Sequence, residues 1–220
     1  MNSESLKADE VSFNTMMSNS ASWRGSQHLL CHLTSEPAAS LSTFSCNSLL
    51  GACERCSNWS RAIAILGEMA SSKAEADVIS FGSTINACRA DASQWRAALY
   101  LVSAMPQHGL KPNVIAFSSA LQACASSGQW QLALHYFDYM QEEVEPGAIT
   151  YNIVIRACAD GSCWQLALHL FQDMSFAMNL RPGADSCSAL LAAFEASSRW
   201  AHALQILTDM QTRKVSADKF

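Results

Sequence analysis

Six tryptophans divide this chain almost evenly. Trp23, Trp59, Trp95, Trp130, Trp164 and Trp200 are separated by 36, 36, 35, 34 and 36 residues, and the 220-residue sequence holds no others. Self-similarity at a period of this length marks a repeat architecture, in which one supersecondary unit recurs and neighbours stack to bury a common core. The composition suits such a stack of helices. Half of the residues are hydrophobic, while Gly (9) and Pro (5) are too scarce to punctuate an all-β fold.

The sequence after each tryptophan defines a helix. Three residues on stand Ala62, Ala98, Ala133, Ala167 and Ala203; four on stand Ile63, Leu99, Leu134, Leu168 and Leu204. At seven come Leu66, Val102, Phe137, Phe171 and Leu207, and at ten Met69, Met105, Met140, Met174 and Met210. These offsets trace one helical stripe, so the tryptophans, Trp130 among them, are expected in the core. A second apolar segment precedes each tryptophan, as in SFGSTINACRA, AFSSALQACAS and TYNIVIRACAD. Breakers separate the units: Lys111-Pro112-Asn113, Glu145-Pro146-Gly147 and Arg181-Pro182-Gly183, where proline ends the preceding helix. The expected fold is all-α, a right-handed superhelical α-solenoid of stacked helix-turn-helix repeats.

The unit running from Val114-Ile115-Ala116-Phe117-Ser118 through Ala133-Leu134 and Met140 to Glu145-Pro146-Gly147 resembles the pentatricopeptide repeat. Val78-Ile79-Ser80-Phe81 and Ala148-Ile149-Thr150-Tyr151-Asn152 match that family's opening, and Lys111-Pro112-Asn113 its close. The tetratricopeptide W-x-x-L-G-x-x-Y signature is absent. The resemblance divides the chain into a tail, residues 1–9, and an array over 10–218 with units near 10–42, 43–77, 78–113, 114–147, 148–183 and 184–218. The first unit is short between Phe13 and Trp23 and is expected to be an atypical cap.

The resemblance implies binding of single-stranded RNA, one base per repeat, read by a side chain on the first helix together with one at the repeat's end. The paired places are Asn14 with Ser42, Asn47 with Asp77, Gly82 with Asn113, Ser118 with Gly147, Asn152 with Gly183 and Ser188 with Asp218. Asn47 with Asp77 is the pairing the family uses for uracil, and Asn14 with Ser42 looks like a cytosine reader. Glycine departs from the pattern because it offers no side chain to a base edge. The family also clamps bases between aliphatic side chains at the second place of the repeat, where Ile79, Ile115 and Ile149 fit and Asp185 does not.

The resemblance further implies a non-catalytic adaptor in organellar RNA processing or stability, in plastid or mitochondrion. Two alternatives stay open: a protein-binding helical-repeat scaffold with a degenerate code, and the recognition arm of a larger RNA-processing enzyme. The net charge of -5 does not suit a strongly electrostatic nucleic-acid binder. Arg55, Arg89 and Arg156, in or just after first helices, are the candidates for phosphate contact. The opening MNSESLKADE reads neither as a signal peptide nor as a transit peptide, and no apolar run approaches the roughly 18 residues of a membrane span. No small-molecule substrate and no membrane partner are expected.

No metal or cofactor is expected either. Cys53-x-x-Cys56 has no second pair to complete a tetrahedral zinc site. Cys53, Cys88, Cys124 and Cys158 recur at the end of the first segment, with Phe194 in the equivalent place, which reads as a small buried apolar position. His28 and His32 stand one helical turn apart around Cys31, but His28, His135 and His169 all follow a tryptophan by five residues, so the repeat explains their placement. Asn58-Trp59-Ser60 matches the glycosylation pattern by chance, and Glu142, Glu143 and Glu145 read as a solvated helix end. No phosphate loop, nucleophile elbow, zinc-protease or dinucleotide motif occurs.

Overall fold

A computed structural model describes residues 43–71, 74–176, 180 and 182–212. Among these residues it contains ten α-helices, two short 3-10 helices and no strand. In chain order they are α1 (Thr43–Arg55), α2 (Trp59–Ser71), α3 (Val78–Arg89), α4 (Trp95–Ala104), α5 (Val114–Ser126), α6 (Trp130–Glu143), α7 (Ala148–Asp160), α8 (Trp164–Phe176), α9 (Ala184–Ala196) and α10 (Trp200–Thr212). The fold is an all-α repeat of helical hairpins. Asn14, Ser42 and Asp218, the His28 and His32 pair, and the whole unit near 10–42 lie outside the described residues.

The chain divides into two compact units, Met1–Pro112 and Asn113–Phe220. In the first, α1 packs on α3 and α2 lies against both, with α4 on α3. In the second, α5 packs on α7 and α7 on α9, while α6 and α8 each bridge their own first helix and the next. First helices thus share one layer within each unit, and second helices form the other. The core follows the sequence stripe only in part. Ala62, Ala98, Ala133 and Ala167 and, seven residues on, Met69, Met105, Met140 and Met174 are buried, but Ile63 and Leu204 are exposed. From the first helices come Phe81, Ile85 and Cys88, Phe117, Leu121 and Cys124, and Tyr151, Ile155 and Cys158, each set on one helical face. Burial pushes the Cys53, Cys88 and Cys124 thiols up to about 11 and Cys158 to about 12, as expected of inert apolar fillers.

The tryptophans are the main correction. Each of the five described begins a second helix, and none is fully buried; Trp200 is 74% exposed. For Trp59, Trp130 and Trp164, the place at a helix start makes the ring reach across the hairpin end to the following repeat. The Trp59 indole acts on the Asp91 carboxyl, helping after Ser93 to hold it below its ordinary pKa, and a Cβ on Gly161 would lie 2.7 Å from the Trp130 ring. Trp164 rests against Phe194 and His202, at centroid distances of 6.1 and 5.0 Å, beneath the Arg199 guanidinium at 5.1 Å. Trp200 has no such seat among the described residues.

In four of the five described hairpins a left-handed residue makes the turn, while a 3-10 helix, Ala92–Gln94, joins α3 to α4. Ser57, Gly128, Ser162 and Ser198, each two residues before a tryptophan, have φ between 53 and 70°. Around them run paired bonds such as Ser162 N–H to Ala159 C=O (2.9 Å) and Cys163 N–H to Cys158 C=O (2.9 Å), which satisfy the last carbonyls of the first helix. Asn58 Oδ1 accepts from Arg61 N–H at 3.2 Å and caps α2.

Candidate nucleic-acid interface

The fourth, eighth and eleventh places of a repeat face the core, so the helical period of about 100° per residue turns the second place outward and leaves the fifth at the edge. Ile79, Ile115 and Ile149 are accordingly 63%, 63% and 73% exposed. Ile63, Tyr100, Tyr139, Leu166, Trp200 and Leu204 are exposed as well, but on second helices; on the described first helices the exposed large apolar side chains all stand at this one register. Phe44, which the sequence reading passed over, takes the same place in α1 and is 62% exposed. The signal for it was the register alone. Asp185, exposed in α9, breaks the row.

The place at the end of a repeat is the N-cap of the next first helix. Asp77 caps α3, accepting from Ser80 N–H at 2.8 Å, and Asn113 caps α5, accepting from Ala116 N–H at 2.9 Å. Gly147 and Gly183 cap α7 and α9 with no side-chain bond.

Of the predicted pairs, the structure brings one together by side chains. Asn47 Nδ2 donates to both carboxylate oxygens of Asp77, at 3.1 and 3.2 Å. Ser80 completes the cluster: its hydroxyl donates to Asn47 Oδ1 at 2.6 Å, lies 2.9 Å from Asp77 Oδ1, and accepts from Asp77 N–H at 3.1 Å. Partial burial acts to raise the Asp77 pKa. The hydrogen bonds from the Ser80 backbone and side chain, from Asn47 and from the Ile79 backbone outweigh it and hold the carboxyl below its ordinary value.

Elsewhere the arrangement differs. Gly82 has no side chain and belongs to the first unit, whereas Asn113 belongs to the second. Ser118 pairs not with Gly147 but with Thr150, hydroxyl to hydroxyl at 2.9 Å. Asn152 Oδ1 is buried without a hydrogen-bond partner, and Gly183 offers it none. Ser188 is half-buried on α9, its expected partner Asp218 outside the described residues. Ser80 and Thr150 were missed by the sequence reading, where the hydroxyl at the third place appeared only as part of the repeat's opening.

Arg55, Arg89 and Arg156 are exposed, at the ends of α1 and α3 and along α7. Among the described residues no group of three or more His, Cys, Asp or Glu side chains is placed to hold a metal ion. Cys53 is buried while Cys56 is exposed in the turn after α1. No described helix is long and apolar enough to cross a membrane.

A family model described as "Pentatricopeptide repeat domain" matches residues 100–161, and one described as "PPR repeat" matches 44–73 and 149–176. Among solved structures, the chain is similar to the PPR domain of Arabidopsis thaliana protein-only RNase P 1 in complex with tRNA, at a TM-score of 0.71 and 18% identity, covering 83% of this chain and 95% of that one. It is similar at a TM-score of 0.51 and 18% identity to the pentatricopeptide repeat protein PPR10 of maize in complex with an 18-nt psaJ RNA element, covering 94% of this chain and 41% of that one. The nuclear proteinaceous RNase P 2 of A. thaliana gives 0.64 and 18%, over 76% of this chain and 37% of that one. The chain thus spans well under half the length of the last two, and at these identities the likeness is one of fold. No curated protein matches the sequence.

Proposed function

The chain belongs to the pentatricopeptide repeat family, and from that premise we propose that it is a non-catalytic adaptor that binds single-stranded RNA along the outward face of its first helices. The carrying observation is the exposed apolar row: Phe44 and Ile79 in the first unit, Ile115 and Ile149 in the second. A purely structural repeat gains nothing from large apolar side chains in water at one register, whereas a base offers a flat apolar face to lay against each of them. Sequence preference is assigned to the neighbouring polar places, Asn47, Asp77, Gly82, Asn113, Ser118, Asn152 and Ser188, with Asn14, Ser42 and Asp218 supplying the rest of the array. Arg55, Arg89 and Arg156 meet phosphates. Two similar structures hold RNA, a tRNA in one and an 18-nt element in the other, which supports the ligand class. A role in organellar RNA processing or stability, in plastid or mitochondrion, follows the family.

The test is selection of a randomised single-stranded RNA pool on the purified protein, followed by affinity measurement of the enriched RNA on Ile79→Asp and Ile115→Asp variants. Each variant is expected to weaken binding about 5- to 30-fold, from ~1–2 kcal/mol for covering one exposed aliphatic side chain, with an unchanged melting temperature because the side chains are exposed. An enriched RNA that both variants bind as tightly as the parent would refute the assignment of this face. No enrichment by a protein that is helical by circular dichroism would point to a protein-binding scaffold.

A further inference from the structure

We propose that the hydroxyl at the third place of a repeat, Ser80 in the third repeat and Thr150 in the fifth, positions the base-reading side chain of the repeat before it. The inference rests on the RNA-binding reading above and adds residues to which that reading gives no part.

An amide that reads a base must present its remaining donor and acceptor in a defined plane, since a rotating carboxamide offers donor and acceptor alternately to the same edge. Asn47 is held at both ends. Its Nδ2 is bound by the Asp77 carboxylate at 3.1 and 3.2 Å, and its Oδ1 by the Ser80 hydroxyl at 2.6 Å. Asp77 determines which end of the amide faces it. Ser80, from the following repeat and fully buried, fixes the other end and with it the plane. Where a single N–H is shared between the two carboxylate oxygens, the other N–H and one carbonyl lone pair are left for a ligand.

The same device recurs in the second unit with different chemistry. Thr150, also fully buried, bonds Ser118 across 32 residues of sequence, as Ser80 bonds Asn47 across 33. The sixth repeat provides the contrast: Ser186 stands in its third place, but its hydroxyl lies 3.7 Å from the Met174 sulfur, and Asn152 Oδ1 in the fifth repeat is left buried and unpartnered. The sequence carries the pattern too. Asn47, Ser118 and Asn152 are followed in the next repeat by Ser80, Thr150 and Ser186, while Gly82, with nothing to position, is followed by Ala116.

Ser80 also belongs to the capping box of α3, so loss of stability alone would not distinguish positioning from capping. The experiment therefore reads base preference. The randomised single-stranded RNA selection is run on the parent and on Asn47→Ala, Ser80→Ala, Ser80→Thr and Ser186→Ala. The base ratio at the one position that Asn47→Ala abolishes is expected to fall about 2- to 10-fold in Ser80→Ala, the range one neutral hydrogen bond commands. Ser80→Thr restores it, Ser186→Ala leaves every position unchanged, and other positions hold in all four. An unchanged ratio in Ser80→Ala, or a uniform loss at every position, would overturn the proposal. A readout without RNA separates its failure from that of the RNA reading: solvent exchange of the Asn47 side-chain amide hydrogens, by NMR, is expected to quicken about 2- to 10-fold in Ser80→Ala and to stay slow in Ser80→Thr. Equal exchange in all three proteins sinks the positioning role whatever the selection gives. Altered exchange without any enriched RNA sinks the RNA reading, and the base-positioning proposal with it, leaving a structural contact.

Discussion

The same substitution, glycine to alanine, is expected to have opposite signs at two places in this molecule. Gly161 follows α7 with φ −82° and ψ 2°, a conformation open to any residue, so the backbone does not require glycine there. Its neighbour does. An added Cβ would lie 2.7 Å from three ring atoms of Trp130, where ordinary van der Waals contact begins at 3.4 Å. A planar ring cannot yield at three atoms without moving as a body, and overpacking of this kind costs about 1–3 kcal/mol. Gly82 lies inside α3 with nothing within 4 Å of a Cβ, so alanine there relieves the entropy cost of a helical glycine, about 0.5–1 kcal/mol. For a chain of this length roughly 2–4 °C accompanies each kcal/mol. Thermal melts followed by circular dichroism should show Gly161→Ala about 2–12 °C lower and Gly82→Ala about 1–4 °C higher. Adding Trp130→Phe to Gly161→Ala should cost less than the two changes made singly, because the smaller ring vacates the clash. A Gly161→Ala protein that melts at or above the parent would refute the seat assigned to Trp130.

Two further outcomes follow from the backbone and from burial. Ser162, at φ 54°, strains a left-handed position that costs a non-glycine residue about 1–2 kcal/mol, so Ser162→Gly should raise the midpoint of chemical denaturation; a lower midpoint would show that the serine hydroxyl matters more than the backbone. Burial raises the Cys53, Cys88 and Cys124 thiols to about 11 and Cys158 to about 12 from 9.0, so the folded state keeps protons that the unfolded state releases. That contribution is complete below pH 9 and is lost as pH rises through the folded values, so denaturation midpoints should fall between pH 8.5 and pH 11, and replacing Cys124 by Ala should flatten the fall.

The sequence made the repeats legible because a residue that begins every second helix is also the rarest kind of residue to recur by chance. It made the recurring cysteines legible for the same reason, and Cys53, Cys88, Cys124 and Cys158 are buried. What it hid was the partner of each periodic residue. Offsets along one helix place Trp130 on the stripe with Ala133 and Phe137, yet a tryptophan at the first position of a helix is carried past the hairpin end, and its burial depends on Gly161 in another repeat. The candidate site shows the same division. The resemblance paired Asn47 with Asp77, but the hydrogen bond between them, and Ser80 beneath both, arise from segments brought together over 30 residues or more. Phe44 was legible from its register, but an aromatic side chain departs from the aliphatic pattern of that place.

Asp77 is both a helix cap and the hydrogen-bond partner of Asn47, and the two roles differ in how much stability they contribute. At an N-cap, glycine is only a few tenths of a kcal/mol worse than aspartate, because the exposed first-turn amides turn to water instead. Replacing the acid by glycine therefore leaves the helix nearly as stable while removing the group that holds Asn47 in place. Gly147 and Gly183 are in that condition: α7 and α9 form without a side-chain cap, Ser118 has turned to Thr150, and Asn152 has an unpartnered carbonyl. Stability offers little resistance to such a change, so the side-chain pair can be lost from individual repeats while the stack persists. On the RNA-binding reading, the sequence preference of the described repeats then concentrates at Asn47, where carboxylate and hydroxyl both remain.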